Sequence, residues 1–198
     1  MEKVSLTYFV DFVLRSGTPK ITGVREYKMR KDELSSDFYR PIREGILTMH
    51  RRGACESMLD EILAGQNDDK RRRIYPHVAA GYRKFLASGD KRWFAPPQGE
   101  IQLGPLVVNL NPEVGFLIGR KPHLVKLYFR QEPLTSKRSS IVLALLAAGL
   151  GRSYPEHVFA MLDVQRGKLH TTEAPHNPRL EMLLRGEAAS FSTIYAAL

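Results

Sequence analysis

Apolar positions in the first half of the chain recur at spacings of three and four. Leu6, Phe9, Val10 and Val13 fall on one face of SLTYFVDFVLRS, which predicts a short amphipathic helix capped by Ser5 and ended by Gly17 and Pro19. In FYRPIREGILTMHRRG the residues Phe38, Ile42, Ile46 and Met49 share a face, and CESMLDEILAG continues with Met58, Leu59, Ile62 and Leu63. Val78, Tyr82 and Phe85 mark a further helix after Pro76, a residue suited to a first helical turn. Gly53, Gly65 and Gly89 stand where these helices need to end.

From Trp93 the pattern becomes punctuated by proline and glycine, then β-like. EIQLGPLVVNL predicts an extended strand and GFLIG-RKP-HLVKLYF a hairpin, together a meander. PLTSKRSSIVLALLAAGLG predicts a helix capped by Thr135 or Ser136, with Leu143, Leu146 and Leu150 toward the core. HVFAMLDVQRGKLHTTE returns to strand with a tight turn at Arg166-Gly167, and NPRLEMLLRGEAASFSTIYAAL closes as a helix. The expectation is an α/β protein: a helical basic region over 1–94 and an α/β core over 95–198, with the helix at 78–88 able to join the core as one domain. Leu117, Val125, Leu127 and Phe129 are expected to pack against Leu143, Leu146 and the last helix.

Composition narrows the function. At 198 residues and 43% hydrophobic the chain can bury one good core. Thirty Lys and Arg against 21 Asp and Glu leave a net charge of +9, which favours a polyanionic partner, nucleic acid first. The start MEKVSLTYFVDFVLRSG lacks a signal-peptide pattern, and the longest apolar run, IVLALLAAGL, is too short to span a bilayer, so a cytoplasmic protein without a membrane partner is expected. The single cysteine, Cys55, excludes an internal disulfide and a Cys-rich zinc site. His50, His77, His123, His157, His170 and His176 are scattered without zinc-ligand spacing, and no phosphate loop or hydrolase elbow occurs.

DDKRRRIYPHVAAGYRKFLASGDKRWF interleaves Lys70, Arg71, Arg72, Arg73, Arg83, Lys84, Lys91 and Arg92 with Tyr75, Tyr82, Trp93 and Phe94. That mixture suits a surface that tracks a nucleic-acid backbone and stacks bases, with Trp93 as a stacking group. A solvated charged helix with its aromatics in the core fits the same pattern. No helix within 38–86 exposes the Arg, Asn, Gln and Thr mixture of a recognition helix, so backbone contact is favoured over base readout.

In NLNPEVGFLIGRKPHLVKLYFRQE, Glu113 lies on the first apolar run and Lys126 on the second. From Val78 onward the order helix, strand, strand, strand, helix, strand resembles the core of the PD-(D/E)XK nuclease superfamily, over roughly the C-terminal 120 residues. The resemblance implies a mixed central sheet flanked by helices and, in active members, magnesium held by carboxylates. It matches Glu113 of Asn111-Pro112-Glu113 to the first acid and Lys126 to the lysine, while Leu124 stands where the second acid belongs. LDVQRGKL resembles the acid strand of RecB-like members, with Asp163 as the acid and Gln165 replacing the lysine, and only one of the two alignments can hold.

The candidate catalytic set is therefore Glu113, Asp163 and Lys126, with Glu113 and Asp163 as metal ligands. Three functions are open: a DNA-binding protein on a degenerate nuclease-like fold in DNA processing or defence, a magnesium-dependent DNA nuclease, and an adaptor for an acidic protein partner. A homodimer is compatible with each. Against all three stands a plainer reading, in which Glu113 shapes a turn, Lys126 snorkels from the sheet and Asp163 is a capping acid.

Overall fold

The computed structural model describes residues 2–29, 37–53, 57–171 and 177–198. Cys55, His176 and most of the KMRKDELSSD arm lie outside the described residues. Strand β1 (Glu2–Ser5) runs directly into helix α1 (Leu6–Leu14), and Ser5 caps that helix by accepting the Tyr8 N–H at 3.3 Å. Gly17, at φ 65°, turns the chain into α2 (Thr18–Met29). Pro19 thus belongs to the first turn of a second helix that the apolar pattern left undefined.

Next come α3 (Arg40–Arg52), α4 (Ser57–Ala64) and α5 (Asp69–Ala87). Pro76 lies inside α5 and not in its first turn. The start is set instead by Asp68, whose carboxylate accepts the Arg71 N–H at 2.7 Å. Burial of Ile74, Tyr75, Val78 and Ala79 on either side of Pro76 offsets the lost backbone hydrogen bond.

The strands are β2 (Lys91–Phe94), β3 (Gly99–Leu103), β4 (Leu106–Leu110), β5 (Val114–Ile118), β6 (Lys121–Tyr128), β7 (Val158–Asp163) and β8 (Lys168–Thr171), with α6 (Ser136–Leu150) between β6 and β7 and α7 (Pro178–Ala197) last. They form two mixed sheets, β2-β5-β6-β7-β8 and β1-β4-β3. In the larger, α6 connects the parallel pair β6 and β7, while the other neighbours run antiparallel. The fold is α/β with helices on both faces of this central sheet.

EIQLGPLVVNL is not one strand: it folds back at Gly104, φ 61°, into the β3–β4 hairpin. That hairpin leaves the central sheet and pairs with β1, which runs parallel to β4. β2 takes the place beside β5 that the meander assigned to it. Nor does packing divide at residue 94, because β1 and α1 share a core with α6, α7 and the far face of β6 and β7.

The central sheet separates two cores. Val125, Leu127 and Phe129 face α3, α4 and α5, whereas Leu124 and Tyr128 face Leu143, Leu146 and α7. The expected packing of Val125, Leu127 and Phe129 on α6 is therefore reversed, and Leu117 is only half-buried. Strand alternation groups these residues correctly but does not say which helical layer each face meets. On the α5 side, Gly81 allows backbone contact with the 3-10 turn Val164–Arg166, since a Cβ there would lie 2.1 Å from the Val164 carbonyl oxygen. Among the described residues no helix is long and apolar enough to cross a membrane.

Candidate nucleic-acid interface

Glu113 and Lys126 meet. Glu113 sits just before β5, where its own N–H donates to the Val125 carbonyl at 3.0 Å, and Lys126 projects from β6 beside it. Lys126 Nζ donates to Glu113 Oε1 at 2.6 Å, to the Asn111 carbonyl at 3.1 Å and to Asn111 Oδ1 at 3.3 Å, using all three of its hydrogens. The second Glu113 oxygen accepts the Leu127 N–H at 2.8 Å. The lysine is only 4% exposed, so the ion pair is a buried and internally satisfied unit.

This pair lies on the wall of a cavity of about 630 Å³. Its other walls come from α1, one face of α3 along its length through Arg43, Leu47 and Arg51, β2 and the first half of α6. Arg43, Arg51, Arg130 and Arg138 join Lys126 as its cations, against the carboxylates of Asp11, Asp37 and Glu113. Asp11 on α1 binds both Arg130 and Arg138, the latter at 2.7 Å, and Arg43 pairs with Asp37 at 2.5 Å. Tyr39 stacks on Phe129 with centroids 5.6 Å apart, Trp93 stacks on His50 at 6.0 Å, and all but His50 line the cavity. Burial pushes the Tyr8 hydroxyl up to about 12 and raises those of Tyr39 and Tyr128, so these wall phenols stay neutral near pH 7.

Asp163 stands apart from this arrangement. Its side chain shares the sheet face of Lys126, but Tyr128 is its cross-strand partner and it does not line the cavity. One carboxylate oxygen accepts the Leu134 N–H at 3.0 Å, and Arg166 donates to both oxygens at 3.2 and 3.3 Å. Arg166 also donates to the Gln131 carbonyl at 2.6 Å, so Asp163 fastens the loop between β6 and α6. Gln165, matched above to a lysine, donates to the Phe129 carbonyl at 2.7 Å.

Magnesium requires several oxygen ligands at short range. Of the expected ligands, Glu113 is committed to Lys126 and the Leu127 N–H, and Asp163 to Leu134 and Arg166. Leu124 projects from the same face of β6 as Lys126 and is wholly buried, placing methyl groups where an acid would be needed. Among the described residues no group of three or more histidines, cysteines and acids is placed to hold a metal ion. The donor set does not fit magnesium.

The basic segment is partly consumed by internal contacts. Lys91 donates to the Leu86 and Gly89 carbonyls and to Ser88 Oγ at the end of α5. Arg72 pairs with Asp69 and donates to the Asn67 carbonyl, while Arg83 pairs with Asp60 at 2.7 Å. Lys70 and Arg71 lie over the Phe38 ring, beside the cavity residues Asp37 and Tyr39. Arg73, Lys84 and Arg92 are exposed. Tyr75 and Tyr82 are fully buried, so they offer no surface for stacking, whereas Trp93 lines the cavity.

Local pattern pointed neither to Asp11, Tyr39, Arg43 and Arg51 nor to Arg138. One signal was legible: Arg138 occupies the first turn of α6, where the helix dipole disfavours a cation unless a nearby anion holds it. That anion is Asp11, from the far end of the chain. No protein-family model, curated protein or solved structure matches this chain.

Proposed function

We propose that the protein binds nucleic acid, DNA first, on a degenerate nuclease-like fold that does not cut its ligand. The carrying observation is the convergence on one cavity of four arginines, Arg43, Arg51, Arg130 and Arg138, and the rings of Tyr39 and Trp93. Cations neutralise phosphates and release counterions, while aromatic rings accept bases without regard to sequence. Lys70 and Arg71, held over the Phe38 ring that packs on Tyr39, add cations near the cavity. Cleavage is disfavoured because Lys126 has no spare hydrogen for a phosphate or water, and because Leu124 supplies no oxygen.

The test is anisotropy of labelled single-stranded, linear duplex and circular DNA and of RNA across a salt series, with parallel incubations in magnesium and manganese analysed on gels. Salt-sensitive binding without cleavage is expected. Metal-dependent cutting that Glu113→Ala abolishes would replace this reading with the nuclease one. No measurable affinity at low salt would instead favour an adaptor for an acidic protein.

A further inference from the structure

We infer that the cavity takes the phosphorylated end of a single strand, seating the terminal phosphate at Arg130 and Arg138 and its base against Tyr39 or Trp93; this rests on the nucleic-acid reading above. At about 630 Å³ the cavity falls among sites for small ligands. A duplex, whose major groove alone is about 12 Å wide, cannot enter it. A groove that tracks a strand continuously serves about 4 to 16 nucleotides, whereas this cavity is lined by α1, α3, β2 and α6 together and its volume suits one.

The charges favour an end over an internal linkage. Arg130 and Arg138 are brought together by a single carboxylate, that of Asp11. An internal phosphodiester carries one charge, as that carboxylate does, and gains little by competing with it. A terminal phosphate carries about −1.5 to −2 at pH 7 and offers three acceptor oxygens to two guanidinium forks. Asp11 therefore holds the arginines in place before binding and raises the threshold for weaker anions. A free mononucleotide has the same chemistry, so the experiment must separate it from a strand end.

The chain's only tryptophan, Trp93, lines the cavity, so its fluorescence reports entry directly. The full chain is titrated with labelled oligothymidylates bearing a 5′-phosphate, a 3′-phosphate or hydroxyl ends, and with thymidine monophosphate. Anisotropy reads binding and Trp93 emission reads cavity occupancy. A phosphorylated end is expected to bind about tenfold tighter than a hydroxyl end, consistent with one added charge-assisted contact, and to change Trp93 emission. Asp11→Asn should tighten that binding severalfold, and Arg138→Gln should erase the preference. Arg138→Lys keeps the charge without the fork and should retain only part of it, while thermal melting of each variant separates ligand effects from unfolding.

Oligonucleotides that bind by anisotropy with no end preference and unchanged Trp93 emission would overturn the inference while leaving nucleic-acid binding intact. If thymidine monophosphate alone changes Trp93 emission and no oligonucleotide binds, the strand-end inference and the nucleic-acid reading both fall, in favour of a nucleotide site. Weakened binding in a well-folded Asp11→Asn protein would overturn the competitor role of Asp11.

Discussion

Removing Glu113 should expose how the cavity wall is stabilised. In Glu113→Ala the Lys126 ammonium, 4% exposed in the intact protein, keeps only the two Asn111 oxygens for partners, and the Leu127 N–H loses its acceptor. Breaking one side of a buried ion pair typically costs about 3 to 5 kcal/mol, because the remaining charge is uncompensated. At about 2 to 4 °C per kcal/mol for a chain of this size, the melting temperature should fall by about 6 to 20 °C. Glu113→Gln should cost less, since its one amide oxygen can still accept from the Leu127 N–H and its volume is kept, although its NH2 then faces Lys126. The double variant Glu113→Gln with Lys126→Met removes both charges, keeps the acceptor for Leu127 and fills the lysine's volume. It should recover at least half of the loss measured for Glu113→Ala. Urea denaturation of all four proteins supplies the comparison. A Glu113→Ala loss below about 1 kcal/mol, the range of exposed pairs, would show that the pair is solvated and would refute the argument from burial.

Other tests probe separate parts of the molecule. Leu127→Ala should cost about 2 to 5 kcal/mol in urea denaturation, because its side chain is buried against the α3–α5 layer. Gly81→Ala should cost about 1 to 3 kcal/mol or more, because the new Cβ would meet the Val164 and Gln165 carbonyls at 2.1 and 2.5 Å; an unchanged melting temperature would place α5 further from that turn. Burial lowers the pKa of His50 to about 4, below its ordinary value, while the ring accepts from or donates to Tyr82 Oη at 2.6 Å. The unfolded chain therefore binds this proton first: the stability from neutral His50 is complete above about pH 6.5 and is lost as pH falls toward 4. His50→Gln should flatten the decline between pH 6.5 and 5, measured by melting. Arg51→Gln should reduce the salt slope for single-stranded DNA by about 0.7, and a triple Gln variant of Arg71, Arg72 and Arg73 should lower it by less than three such steps, because Arg72 is already paired with Asp69.

The order of most elements follows from local rules. Periodicity placed α1, α3, α4 and α6, and short-range hydrogen bonds settled several of their starts: Ser5 and Thr135 cap the helices they precede. The β5–β6 hairpin was equally legible, with Gly119 supplying positive φ at its turn. Even the Glu113–Lys126 encounter was accessible, because it needs only an antiparallel hairpin of known register. These relations span a few residues, or one turn, so neighbouring side chains determine them.

Only the tertiary structure decided what pairs across distance. Nothing local in EKVS says that it will run parallel to LVVNL, since that ladder joins segments about a hundred residues apart, Glu2 to Leu106 and Ser5 to Asn109. Alternation along β6 grouped Val125, Leu127 and Phe129 but could not choose between the helical layers, both of which are apolar. Asp163 looked like a metal ligand because a carboxylate's chemistry is set by its neighbours, which here are Leu134 and Arg166 and not a second acid. The cavity depends on long-range folding in the same way: Asp11 meets Arg130 and Arg138 only after α1 packs beside α6, and Tyr39 and Trp93 reach it from opposite sides of α5 in the chain. A charge run is visible in sequence, but a converging set of single charges acquires meaning only when the backbone brings them to one place.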